Sequence, residues 1–390
     1  MTKPSRLLYL ILFGTMFLFG YIENTKGVSY PLIKADFGIS WEEQGVLVSV
    51  LSFSYVLFCL AGGIFLGSFG VRKAFIAGFI FMIAGLVGVF ILRGFLPAAA
   101  ALFVVSASFG LFEVSMNALA TQVFITRTAL LMNILNFFYG AGSIFSPRAA
   151  GTIAAALGWR SAYLFSIPLV LLFFVISLFT RFPHPEEREQ ENTGTKKVSF
   201  LTAVRTPMVW KFSLVLGLMM AVEIGSVNWG GLYFQEVYHL DPKTRGAAFI
   251  SNFYILFTLS RLLSGFAIEK IGYLRSLFIA ALAAVFIFIL GIVLGPGGVD
   301  ILPGLGIFAA IFWPTLMAVA MGYFRGDAPV MTSAIIVIAG TLNSGIQLLI
   351  GFINRLAGPA WGYRSNLFYA LLVVGGLIML SRCMRRPYKA

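Results

Sequence analysis

The sequence predicts an all-α integral membrane protein of twelve transmembrane helices in two pseudo-symmetric six-helix bundles. Three observations carry that prediction. Of the 390 residues only 11% are charged and 59% are hydrophobic, with a mean hydropathy of +0.93. A soluble domain carries roughly 25% charged residues, and only a bilayer removes the need for a charged surface over so much of a chain. The apolar residues fall into twelve runs, each long enough to cross a bilayer, for which ~20 residues suffice. The two halves of the chain also share a pattern.

The runs are residues 7–33, 43–67, 74–93, 97–123, 129–156, 161–181, 208–236, 246–268, 273–295, 300–323, 329–356 and 364–382. Several exceed the minimum, so tilting or kinking is expected. The first run, from Leu7, has no small-residue cleavage site after it and reads as a retained helix. Between the sixth and seventh runs lies one polar stretch, with His184, Pro185, Glu186, Glu187, Arg188, Glu189 and then Lys196 and Lys197. It cannot sit in lipid and reads as a linker over 182–207, with room for a short surface helix. The N-terminal bundle is then 1–181 and the C-terminal bundle 208–390.

Net charge is +13. The basic residues sit between apolar spans, where the positive-inside rule accounts for them and no nucleic-acid partner is needed. Lys3, Arg6, Arg72, Lys73, Arg127, Arg181, Arg188, Lys196, Lys197, Arg205, Lys211, Lys270, Arg275, Arg325, Arg382, Arg385, Arg386 and Lys389 fall on one side. Only Lys34, Arg93, Arg160, Lys243, Arg245 and Arg364 fall on the other. Both termini are therefore expected in the cytoplasm, in a multi-pass protein of a bacterial plasma or inner membrane.

The repeat is clearest after the second and eighth runs. Gly63 and Gly70 are followed by Arg72 and Lys73; Gly265 and Gly272 frame Glu269 and Lys270 and precede Arg275. Glu23 and Glu223 occupy matching depths in the first and seventh runs. Two such halves suit a rocking, alternating-access carrier of a small solute. The first loop resembles the signature loop of the major facilitator superfamily, G-x-x-x-D-R-x-G-R-R, with Gly67 and Ser68 where that family has its Asp and first Arg. In the family this loop helps latch the inward gate, so the resemblance implies gating roles for Gly63, Gly70, Arg72, Lys73, Gly265, Glu269, Lys270, Gly272 and Arg275.

A finer resemblance is to the fucose/hexose-permease-like branch. It rests on Gly110, Glu113 and Asn117 in the fourth run, Asn136, Tyr139, Gly140, Gly142 and Pro147 in the fifth, Glu223, Asn228, Trp229 and Tyr233 in the seventh, and Gly306, Trp313 and Pro314 in the tenth. In fucose permeases a first-span Asp and the fourth-span Glu handle proton and sugar. The Glu maps onto Glu113; the Asp maps onto Gly27.

Buried charge points to the chemistry. An ionised group at mid-bilayer costs at least ~2.5 kcal/mol and needs a partner or a task. The candidates are Glu23, Lys26, Glu113, Arg148, Glu223 and Arg261. Glu113 lies near the midplane, at ~1.5 Å of rise per residue. It can take a proton from one side and release it to the other, or make a structural hydrogen bond. Glu23 and Lys26, three apart, share a helix face and can neutralise each other. Glu223 has no cation within a turn. Arg148 can clamp an anion or bridge to a carboxylate. Arg261 reads as a snorkelling or gate-pairing residue. Amides and aromatics on the same runs suit a hydroxylated solute: Asn24, Asn117, Asn133, Asn136, Tyr139, Asn228, Trp229, Asn252, Tyr254, Trp313, Asn343 and Gln347, with helix packing as the plain alternative for each aromatic.

The sequence has no GxxxxGK[ST] loop for ATP. His184 and His239 fall in loops, and Cys59 and Cys383 are too few for a metal or disulfide framework. No enzyme activity, metal or cofactor is expected. The leading expectation is a monomeric proton-coupled symporter of a sugar or related polar metabolite, with Glu113, Glu23 and Glu223 as proton carriers. The alternatives are an exporter of drugs or amphipathic or anionic metabolites, and a membrane receptor or enzyme.

Overall fold

A computed structural model describes residues 6–124, 128–183 and 200–384. The polar stretch 184–199, the basic residues Arg127, Arg385, Arg386 and Lys389, and Lys3 lie outside them, as does the side chain of Asn133. The described residues form α1 (Arg6–Phe37), α2 (Trp41–Phe69), α3 (Val71–Ile91), α4 (Phe95–Val123), α5 (Thr128–Leu157), α6 (Trp159–Leu164), α7 (Ile167–Phe179), α8 (Phe200–Arg205), α9 (Pro207–Tyr238), α10 (Ala247–Ile271), α11 (Tyr273–Val293), α12 (Leu305–Phe324), α13 (Ala328–Ala357) and α14 (Pro359–Cys383). Eleven helical segments are long and apolar enough to cross a membrane, with α6 and α7 together forming one of them. The 30-residue α5 is the remaining long helix. The sixth expected span is thus broken at Phe165–Ser166, where Pro168 enters the first turn of α7 and can supply no amide hydrogen to continue the ladder.

Short links reverse the chain. Gly70 (φ 81°) and Gly272 (φ 91°) are the whole of the α2–α3 and α10–α11 connections, in the backbone region that only Gly enters without strain. They are also the second glycines of the repeated motif. At the other end of α2, Ser40 and Glu43 close a capping box: Ser40 Oγ accepts from the Glu43 amide at 3.2 Å and Glu43 Oε2 accepts from the Ser40 amide at 2.7 Å. The short α8 falls where a surface helix was expected in the linker and packs on α9 and α13.

α1, α3, α4, α5 and α7 pack on one another, as do α9, α11, α12 and α14. Aromatic rings fill both groups. Phe19 of α1 stacks on Phe109 of α4 at 4.7 Å between centroids, and Tyr233 of α9 on Tyr363 of α14 at 4.4 Å. The two groups meet along α2 with α13, α5 with α10 and α1 with α9. One close approach is at Gly45 and Gly351, where a methyl added to Gly45 would lie 2.8 Å from the Gly351 Cα. Such backbone-to-backbone crossings are how small residues pack spanning helices.

These meetings are concentrated towards one face. Glu42 and Arg355 form an ion pair beside the glycine crossing, and Arg148 Nη2 donates to Asn252 Oδ1 at 3.0 Å. Both lie towards the ends of the helices remote from Arg6 and Met384. On the face that carries the termini, side chains added at Gly63, Gly67, Gly265 or Gly322 would meet nothing within 4 Å. The described side-chain bonds between the halves thus close the remote face.

Candidate functional site

α1 brings Glu23, Asn24 and Lys26 to the middle of the molecule. Lys26 Nζ and Glu23 Oε1 form an ion pair at 2.5 Å, as their helical spacing allows, and the ammonium sits 5.8 Å from the centroid of the Phe109 ring. Asn24 Nδ2 donates to Gly20 O and to Ser143 Oγ, both at 2.9 Å, tying α1 to α5. α4 brings Glu113 and Asn117. The Asn117 amide donates to Glu113 Oε1 at 3.0 Å and to the Glu113 carbonyl at 2.8 Å, so one amide orients the carboxyl from one turn below. α5 contributes Asn136, which donates to Met132 O at 2.9 Å, and Tyr139. α9 contributes Glu223, half-buried, to which no described side chain donates within hydrogen-bond distance.

Arg261 of α10 was read from sequence as a snorkelling or gate-pairing residue. Instead it is half-buried at the centre. It lies within electrostatic reach of Glu113, Glu223, Tyr139 and Tyr254, four groups on four different helices. Its guanidinium carbon stands 4.6 Å from the centroid of the Phe257 ring, and its Nε is buried with no hydrogen-bond partner among the described residues. Depth within α10 was the signal available in the sequence. What hid the role is that the carboxyls around Arg261 come from α4 and α9.

The remaining candidates divide. Arg148 bonds the Asn252 amide of the other half, not a carboxylate, and lies towards the closed face. Trp229 Nε1 donates to Gln347 Oε1 at 2.9 Å and Gln347 Nε2 to Asn343 Oδ1 at 3.1 Å. This chain joins α9 to α13, and Gln347 is 0% and Trp229 2% exposed, so these three are engaged with one another. Asn228 and Tyr254 are buried, and Trp313 is 41% exposed.

The sequence profile of the Major Facilitator Superfamily matches residues 12–347. The chain belongs to the Major Facilitator Superfamily. The structure of the Escherichia coli fucose:proton symporter FucP aligns over 97% of this transporter and 98% of its own chain, at 16% identity and a TM-score of 0.67. A bacterial homologue of the human lysosomal transporter Spinster, in an inward-facing and occupied conformation, aligns over 100% of both chains at 14% identity and a TM-score of 0.77. These likenesses concern the fold. Among curated sequences, the probable sulfoacetate transporter SauU of Cupriavidus necator is 26% identical over 155 residues, 38% of this chain and 35% of that one. The TsgA homologue of Buchnera aphidicola is 20% identical over 227 residues, 58% and 54% of the two chains. The transporter thus matches between a third and just over half the length of those two relatives.

Its motif loops lie on the face that carries the termini. Arg72 Nη2 donates to Leu178 O at 2.9 Å, pinning the start of α3 to the end of α7, and Lys73 Nζ stands 5.7 Å from the Phe69 ring centroid. Gly63, Gly265, Glu269 and Lys270 are exposed, and neither Glu269 nor Lys270 forms an ion pair among the described residues. Gly272 and Arg275 line a cavity of about 770 Å³ with Tyr323 and Arg325, away from the central carboxyls.

Proposed function

We propose that this transporter is a secondary carrier that couples the movement of a small polar solute, a sugar or related metabolite, to protons by alternating access. The observation that carries the reading is that Glu113 and Glu223, from opposite halves, both lie within electrostatic reach of one cation, Arg261, while neither is locked in an ion pair. A carboxyl held that way in a low-dielectric interior exchanges its proton according to which side the space opens to. Glu23 is the third candidate, restrained by Lys26.

The moving bodies in this reading are the bundles 1–181 and 208–390. The terminus face is the cytoplasmic one, because the basic residues concentrate there. In this reading the space between the halves opens and closes at that face through the motif loops of Gly63, Gly70, Arg72, Lys73, Gly265, Glu269, Lys270, Gly272 and Arg275.

The test is a proteoliposome assay of sugars, sugar acids and hydrophobic cations under an imposed pH gradient. The expected result is a solute-dependent proton influx and uphill uptake. Glu113→Gln abolishes accumulation and leaves counterflow exchange, since the variant still binds and still rocks. Uphill uptake unchanged in that variant rejects the assignment.

A further inference from the structure

We infer that the solute is a small organic anion whose carboxylate or sulfonate group binds the Arg261 guanidinium in place of the protein's own carboxyls. The inference rests on the proton-coupled reading above and adds the charge of the cargo.

The argument is a charge balance. A guanidinium keeps its proton under all physiological conditions. Held inside a spanning bundle, it needs compensating negative charge. Lys26 already has its counter-ion in Glu23 at 2.5 Å. Arg148 is held by Asn252 towards the closed face. Arg261 is left as the central cation with no ion pair among the described residues, and one of its N–H groups is buried and unbonded. The Phe257 ring covers one face of the guanidinium, keeping water off it and leaving its edge for an acceptor.

The groups that act on Arg261 are Glu113 from α4, Glu223 from α9, Tyr139 from α5 and Tyr254 from its own helix, with Glu23 of α1 acting on the two tyrosines. α12, which also packs on α10, has no titratable side chain between Leu305 and Ala320. Two carboxyls therefore compete with any anion for one guanidinium. When Glu113 and Glu223 carry protons, Arg261 is uncompensated and an anionic solute supplies the missing charge. When they release their protons, they reclaim Arg261 and the solute leaves. Proton and anion then bind together and depart together. A neutral sugar cannot supply the charge that Arg261 then lacks. The forked guanidinium matches the planar carboxylate and the three-oxygen sulfonate alike.

Thermal unfolding of the purified full chain tests the proposal, with gluconate, galacturonate and sulfoacetate against glucose and fucose. At least one of the three anions should raise Tm, and more at mildly acid than at mildly alkaline pH, because protonation of Glu113 and Glu223 frees Arg261. Sulfoacetate alone responding assigns the sulfonate, and the sugar acids alone responding assign the carboxylate. Arg261→Gln should abolish the response. Should Arg261→Gln fold poorly, Arg261→Lys keeps the charge, loses the fork, and should weaken binding by about tenfold or more, the loss of one charge-assisted bond. Stabilisation by neutral sugars that survives Arg261→Gln overturns the anion assignment and leaves proton coupling standing. Silence of all three anions with the wild-type chain, or tighter anion binding at alkaline pH, also overturns it. Failure of proton coupling itself shows separately, as uphill uptake that ignores Glu113→Gln.

Discussion

Lys26 and Glu23 sit three residues apart on α1 with side chains 12% and 29% exposed, and their ion pair removes two charges from the central space. Breaking one partner of such a pair strands the other, whereas removing both together does not. Lys26→Met alone is expected to destabilise the protein by about 3 kcal/mol, and the double variant Glu23→Gln with Lys26→Met by much less. A double-mutant cycle of Tm values checks this, and additive losses would mean that the two charges do not depend on each other. This pair was legible in the sequence because helical spacing alone brings its members together. Arg261 was not. Its partners stand about 150 residues earlier, at Glu113, and 38 residues earlier, at Glu223, and no periodicity within one helix reports a contact between helices. Arg148 shows the same limit: its type suggested an anion or carboxylate partner, and its neighbour across the halves is the amide of Asn252.

Helices are where sequence reasoning reached furthest. Length and apolar composition placed the spans to within a few residues, and the repeated glycines at 70 and 272 marked two of the single-residue turns. The break between α6 and α7 was legible in Pro168, but apolar composition alone runs straight through it. The α9–α13 link escaped. Trp229, Asn343 and Gln347 looked like parts of a solute site, and each satisfies its polar group on another of the three. Gln347→Leu leaves the buried Trp229 N–H without an acceptor and should cost about 1–3 kcal/mol, read as a lower Tm. Gln347→Glu, which keeps an acceptor, should cost less if it enters protonated. At the entry to α2, Ser40→Ala removes one arm of the capping box and should cost about 1 kcal/mol. No change in Tm there would mean that the first turn of α2 is held by packing on α13 instead.

At the scale of the whole molecule, both described side-chain bonds between the halves lie towards the face remote from the termini. Alternating access requires that this face part. A short thiol-specific cross-linker between Glu42→Cys and Arg355→Cys, in a background lacking Cys59 and Cys383, should hold it shut. Transport should stop on cross-linking and return on reduction, while solute added from the terminus side still protects residues between the halves. Turnover unaffected by the cross-link would rule out parting along α2 and α13. The glycine crossing beside that ion pair also bears on leakage. With main chain pressed against main chain at Gly45 and Gly351, no file of water molecules can thread between α2 and α13 at that point, so the barrier to stray hydronium there does not depend on the rotamer of any side chain. Enlarging either glycine wedges the joint ajar, and the cell membrane would then lose its ion gradient through a carrier that still binds its cargo.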